Sequence, residues 1–256
     1  LVLVNDGDLT YGKIRLDARS AATLVSSVDE LTDGLARALA WSAAWDMTRD
    51  AEMGARDKAY LATKVWTSGE AAGRTQMAQS SERFRTSTID LMQIHNMLDW
   101  EGHLEVLREM KRAGSIRYIG ITTSHGRRHD ELLRAMKKAD FDFVQFTYGL
   151  HDRDAESQLL PLAAERRMAV IANRPFGGGA LFGRVQGKPL PGWAAGIDCA
   201  NWAQFFLKFV VSHPAVTCAI PATSNPAHML ENMGAHFGRL PDAALRIRMA
   251  RYFDSL

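Results

Sequence analysis

From residue 60 onward, short apolar runs alternate with longer stretches whose apolar positions recur every three to four residues. The short runs have the pattern of buried strands and the longer stretches that of amphipathic helices. Strands are predicted at 60–65 (YLATKV), 89–95 (IDLMQIH), 116–122 (IRYIGIT), 141–146 (FDFVQF), 168–173 (MAVIAN) and 216–220 (VTCAI). Each is mostly apolar on both faces, as in a parallel sheet covered on both sides. Helices are predicted at 75–84, 104–113, 130–139, 156–167 and 201–212, each followed closely by the next strand. Such regular succession implies right-handed βα units around one sheet.

The first 59 residues are less regular. Residues 1–14 (LVLVNDGDLTYGKI) read as a β-hairpin, with Asp6-Gly7 supplying the positive-φ turn between two β-prone runs. Residues 14–16 and 24–28 are the candidates for two further strands. Trp41 and Trp45, four residues apart in an Ala-rich stretch, read as core. There is no internal repeat and no low-complexity linker. The expected architecture is therefore α/β, a single (β/α)8 TIM barrel over residues 1–256 with an N-terminal β-hairpin, and the 256 residues suit a fold of typically about 250. Residues 182–197 are expected to form a long loop over the site.

Composition narrows the function classes. With 46% hydrophobic and 23% charged residues the chain can build a large core and carries no signature of disorder. A net charge of +2, from 31 basic against 29 acidic residues, argues against nucleic acid or a membrane surface as partner. The pairs Arg127-Arg128 and Lys137-Lys138 flank helix patterns and read as solvated faces. Cys199 and Cys218 have no metal-knuckle spacing and suit a reducing compartment. The most apolar stretch, 205–211, is interrupted by Lys208, and no run reaches the eighteen apolar residues of a membrane span. A cytoplasmic location is the expectation; the chain opens on Leu1 rather than Met, so a removed leader stays open.

In a (β/α)8 barrel the reactive groups lie at the C-terminal ends of strands. Lys64 ends the run Leu61-Ala62-Thr63, and His95 ends Leu91-Met92-Gln93-Ile94, so both belong to one rim. Each also has an ordinary reading, as a solvated lysine or a hydrogen-bonded histidine.

Four phrases carry more: Ala62-Thr63-Lys64-Val65, Ile89-Asp90-Leu91-Met92-Gln93-Ile94-His95, Gly114-Ser115-Ile116-Arg117-Tyr118-Ile119-Gly120-Ile121, and Ile220-Pro221-Ala222-Thr223-Ser224-Asn225-Pro226. In order and spacing across residues 56–233, the chain resembles the aldo-keto reductases. The resemblance implies NADP or NAD as cofactor and a small-molecule carbonyl, aldehyde or ketone, as substrate. The implied reaction is transfer of the 4-pro-R hydride of the nicotinamide, with a tyrosine as proton donor and a lysine, an aspartate and a histidine tuning and orienting it. Lys64 matches the family's lysine and His95 its histidine. A phenol near pKa 10 is a poor acid at neutral pH, and a neighbouring ammonium lowers that value by stabilising the phenolate.

The aspartate and tyrosine depart from the pattern. The family's Asp-Thr-Ala-x-x-Tyr-Gly phrase does not occur. Asp29 falls near the aspartate's place, yet Gly34 stands five residues on, where tyrosine belongs. Asp6 and Tyr11, followed by Gly12, have the spacing but lie in the predicted hairpin, far upstream of Lys64. Two readings stay open: the chain has lost its proton donor, or residues 15–50 do not faithfully represent the parent gene, through truncation, omitted segments or a shifted reading frame.

On the cofactor side, Thr122, Thr123 and Gln145 match the residues that hold the carboxamide in the family, and Asn173 stands where an aromatic ring commonly stacks on the nicotinamide. Arg174, Pro175, Phe176, Gly177 and Gly178 form a loop whose glycines let backbone amides approach a pyrophosphate. Ile220, Pro221, Thr223, Ser224, His228 and Asn232 match the adenosine-phosphate site at a helix N-terminus. Ala222 replaces a frequent lysine and His228 a frequent arginine, so the choice between NADP and NAD stays open. The implied function is NAD(P)H-dependent carbonyl reduction; the alternative is a catalytically impaired nucleotide-binding barrel acting as a sensor or interaction module.

Overall fold

The computed structural model describes residues 60–256. Cα proximity divides the chain between Leu61 and Ala62, and Ala62–Leu256 is one compact unit. The hairpin and strands predicted in residues 1–28, the Trp41/Trp45 pair, and Asp6, Tyr11 and Asp29 lie outside the described residues.

Six parallel strands form a sheet in sequential order: β1 (Ala62–Val65), β2 (Ile89–Ile94), β3 (Ile116–Thr122), β4 (Phe143–Thr147), β5 (Ala169–Asn173) and β6 (Cys218–Ile220). The helices between and after them are α1 (Glu70–Phe84), α2 (Trp100–Arg112), α3 (His129–Lys138), α4 (Leu159–Glu165), α5 (Ala180–Arg184), α6 (Trp202–Val211), α7 (Pro226–Met233) and α8 (Ala243–Asp254). All six strands coincide with predicted ones. β2 is buried at every position, as a strand covered on both faces must be.

The differences are tertiary. β4 starts at Phe143 because Asp142 is engaged elsewhere: its carboxylate accepts from the Ile119 amide at 2.8 Å and pairs with Lys111. α1 starts five residues earlier than its periodicity indicates, and the Asp99 carboxylate of the next βα unit accepts from Gly69 N at 2.7 Å just ahead of it. α4 is shorter than predicted, preceded by a 3-10 turn at Asp154–Glu156 and closed by Arg167 at φ 56°. Residues 182–197 are not a long open loop. They hold the end of α5 and a 3-10 turn at Gly192–Ile197, which buries Ala194 and Ile197 in the core.

α6 is the most deeply buried helix among the described residues, with positions 203–210 all inside. Phe206 meets Phe182, Trp202 and Phe253 at ring-centroid distances of 5.6–5.8 Å. Two polar side chains on this helix are satisfied rather than expelled. Lys208, 0% exposed, donates to the carbonyls of Phe237 at 2.6 Å and Arg239 at 2.9 Å. Gln204 accepts from Ala200 N and donates to Glu231 O, and a Cβ on Gly234 would stand 2.1 Å from its Nε2, so only glycine permits that approach. An unpartnered buried ammonium or amide would cost several kcal/mol, so these bonds fix where the chain after α6 must run.

A second buried node ties α8 to the end of β4. Arg246 donates to the Tyr148 hydroxyl at 2.5 Å and to Glu156 at 2.8 Å while lying 4.2 Å from the Phe209 ring centroid. Burial, and then the hydrogen bond to Glu156, push the Tyr148 phenol well above its ordinary range, so it is structural rather than acidic.

Truncation of Phe206 is expected to leave a cavity that this aromatic cluster cannot close. Phe206→Ala should lower the unfolding free energy by about 3–5 kcal/mol, read from urea denaturation followed by tryptophan fluorescence.

Candidate active site

Parallel register places Lys64 beside Gln93, two residues before His95. β2 stops at Ile94 because the chain turns into a 3-10 segment, His95–Met97, in which Asn96 has φ 53°. That turn presents His95 at the strand's C-terminal end, next to Lys64. Both side chains are partly buried. Burial lowers the Lys64 pKa from its ordinary value. Burial first, and the Lys64 charge second, lower that of His95. The imidazole is therefore neutral at neutral pH and can donate or accept a hydrogen bond without carrying charge.

Three neighbours hold His95. The Trp66 ring stands edge-on at 5.0 Å and 78°, with Trp66 itself 61% exposed. The Thr122 hydroxyl lies 3.4 Å from Nδ1 and accepts from Asn96 N at 3.0 Å. That leaves the hydroxyl proton for Nδ1 and favours the tautomer with its proton on Nε2. Arg128 donates to the Asn96 carbonyl and bonds Glu131, bracing the turn from α3.

The next layer is a belt of buried amides and hydroxyls along the strand ends. Gln93 Nε2 donates to Gln145 Oε1 at 3.3 Å. Asn173 is engaged at both ends: Nδ2 donates to Thr123 O at 2.7 Å and Oδ1 accepts from the Thr147 hydroxyl at 3.1 Å. Thr123 is fully buried and donates to His125 O at 3.1 Å. Two acceptors in this region, Gln93 Oε1 and Asn96 Oδ1, are buried with no partner, so the belt has hydrogen-bonding capacity left over.

A cavity of about 660 Å³ opens between the loops after β5 and β6. One wall is Arg174, Pro175, Phe176, Gly178 and Gly179, with Phe182 behind Phe176 at 5.0 Å between ring centroids. The other is Ile220, Pro221, Ala222 and Thr223, continuing into His228, Glu231 and Asn232 of α7. Gly177, Gly178 and Gly179 all have positive φ, and a Cβ at either of the last two would meet nothing within 4 Å. Bare backbone therefore faces open space there, as a pyrophosphate cradle requires. α7 begins with Asn225 as N-cap, its side chain accepting from Ala227 N at 2.9 Å, and with Pro226 at the first turn. Its N-terminus bears no acidic residue in the first turn, so its partial positive charge is free to meet an anion.

Of the residues singled out in the sequence, nine line this cavity, and Lys64, His95, Thr122, Thr123, Gln145 and Asn173 sit at or just beyond the C-terminal ends of strands of the same sheet. Gly177 and Ser224 belong to the same loops without being among the lining residues. Asp29 lies outside the described residues. Sequence reasoning missed Asn96 and Glu231, and took Phe182 only as the start of a loop over the site. Asn96 alone left a signal, since asparagine tolerates the left-handed conformation its turn demands. Among the described residues no group of three His, Cys, Asp or Glu is placed to hold a metal ion, and no helix is long and apolar enough to cross a membrane.

The fold and this rim define a class, and the comparisons agree. The model of the Aldo/keto reductase family matches residues 34–247. The chain belongs to that family. Methylglyoxal reductase YeaE of Escherichia coli is 25% identical over 224 residues, covering 86% of this chain and 76% of that protein. Aldo-keto reductase YhdN of Bacillus subtilis is 30% identical over 147 residues, 52% of this chain and 44% of its own length. A different class also matches: aminopeptidase N of Streptomyces lividans is 52% identical over 62 residues, 24% of this chain and 7% of that protein. The chain thus spans less than half of the first two curated relatives it matches by share of their length, the aminopeptidase and YhdN. Among solved structures, an aldo-keto reductase from Bacillus halodurans in its holo form superposes with a TM-score of 0.64 at 20% identity, over 87% of this chain and 88% of the other. One from Klebsiella pneumoniae, in complex with NADP and acetate, gives 0.62 at 20% over 91% and 84%. At that identity the likeness is one of fold.

If the Lys64 charge holds down the His95 pKa, its removal must raise it. Lys64→Met is expected to move the His95 titration upward toward about 6.5, followed through its Cε1 proton by NMR; an unchanged or lower midpoint contradicts the coupling. Because the folded-state value is depressed, His95 contributes stability that is present above about 6.5 and is lost as pH falls through the folded value.

Proposed function

We propose that Ala62–Leu256 supplies six of the eight staves of a (β/α)8 barrel built for NAD(P)H-dependent reduction of a small-molecule aldehyde or ketone. The observation that carries the reading is that two features lie at the C-terminal ends of strands of one parallel sheet: the Lys64–His95 pair and the cavity between the glycine loop and α7. The residues fit a dinucleotide. The bare backbone at Gly178 and Gly179 and the α7 N-terminus suit its phosphates, and the spare buried acceptors suit the N–H groups of a carboxamide.

When bound, the nicotinamide supplies the hydride. The chain's own residues orient the carbonyl and govern the proton. His95, neutral and proton-bearing at Nε2, donates a hydrogen bond to the carbonyl oxygen and holds it at the rim beside Trp66. Lys64 places a positive charge where oxyanion character develops and lowers the pKa of any phenol brought to it. Ala222 and His228 leave Arg174 as the fixed cation lining the cavity, opposed by Glu231. A 2′-phosphate therefore meets little net positive charge, and NAD is served about as well as NADP.

The second reading, a nucleotide-binding barrel with impaired turnover, is favoured by the absence of the Asp-Thr-Ala-x-x-Tyr-Gly phrase.

Titration with NADPH and with NADH should quench tryptophan fluorescence, with affinities within about tenfold of each other, one decade being about 1.4 kcal/mol. Failure of both to bind sinks the site. Gly178→Val, which fills the cradle at a positive-φ position, should weaken binding of both by about tenfold or more, a cost of roughly 1–3 kcal/mol for such backbone strain.

A further inference from the structure

We propose that residues 1–61 are a segment of aminopeptidase N type, joined to an aldo/keto reductase unit that starts at Ala62. The nucleotide-binding half of the site is then present, while the aspartate, the tyrosine and two closing staves are not supplied by the segment that precedes Lys64. The proposal rests on the site reading above and deepens it.

Three observations meet at one place in the chain. The aminopeptidase match is 62 residues long and 52% identical, against 25% and 30% for the reductase relatives. Every reductase-like phrase lies between Ala62 and residue 233; residues 1–61 carry none, and their number fits the length of the aminopeptidase match. The chain also divides between Leu61 and Ala62. Motif content and Cα proximity mark the same junction, and the length of the aminopeptidase match fits the segment before it.

The reductase family model begins its match at residue 34, inside this segment. That overlap does not restore the missing chemistry. The one tyrosine within residues 34–61 is Tyr60, four residues before Lys64 and at the start of the Lys64 strand's own run, so it cannot be the phenol of a preceding strand. The segment carries no peptidase function either: it corresponds to 7% of the aminopeptidase, and the chain contains no His-Glu-x-x-His metal motif.

The test is a graft. Residues 1–61 are replaced by the segment of methylglyoxal reductase YeaE that precedes its matching lysine, and the unmodified full chain and the graft are compared for NADPH binding and for NADPH oxidation with methylglyoxal. Both chains should bind NADPH, and the graft should turn over about 10² to 10⁴ times faster, the usual worth of a general acid. Lys64→Met in the graft should remove most of that gain. Turnover of the unmodified chain within tenfold of the graft overturns the proposal. If neither chain binds nucleotide, the site reading fails instead. A crystal structure of the unmodified chain decides the junction without reference to activity. Superposition of residues 1–61 on the aminopeptidase segment is expected; two strands from these residues hydrogen-bonded between Ala62–Val65 and Cys218–Ile220 overturn it.

Discussion

The hydrogen-bond register between neighbouring parallel strands is the constraint on which the site depends. Thr122 pairs with Gln145, Thr147 with Asn173, and Asn173 with Ile220, so residues far apart in sequence end their strands at one level. A slip of one position anywhere in the series would turn each polar strand-end residue to the opposite face. The belt of amides resists such a slip. Asn173 on β5 is bonded to Thr147 at the end of β4 and to the Thr123 carbonyl just beyond β3, so polar satisfaction reinforces the register. Asn173 is thereby a tie within the sheet.

The cavity is held by a different device. Its α7 wall is located from below by α6, whose Gln204 reaches the carbonyl of Glu231 and whose Lys208 reaches those of Phe237 and Arg239. Both polar side chains lie inside an otherwise apolar helix, where leaving either without a partner would be far more costly than making the bond. The segment after α7 thus has one course compatible with a satisfied core.

What was legible in the sequence, and what was not, follows the range of the forces involved. The six strands were legible because both-face burial writes a continuous apolar run, and Lys64 and His95 because a polar residue closing such a run is conspicuous. α7 announced itself locally through Asn225-Pro226, a cap followed by a first-turn proline, though only the phosphate-site resemblance marked it. Contacts across the sheet were not legible. Nothing in the spacing puts Trp66 edge-on to His95, engages Asp142 with Ile119 and Lys111, or folds residues 192–197 into the core, because each depends on elements distant in sequence. The missing tyrosine phrase was also a local signal, since a fixed motif is either present in the sequence or not.

The two walls of the cavity differ in kind. One hangs from the Gln204 amide, which donates to Glu231 O, with Lys208 holding the segment that follows; the other is backbone at three consecutive positive-φ glycines, two of which have no neighbouring atoms where a side chain would go. Any adjustment on ligand entry therefore falls on the glycine side, where a dihedral can turn without breaking a buried bond. The cavity works like a vice with one fixed jaw. Dissociation rates should track the stiffness of residues 177–179, and the orientation of a bound ligand should track α6.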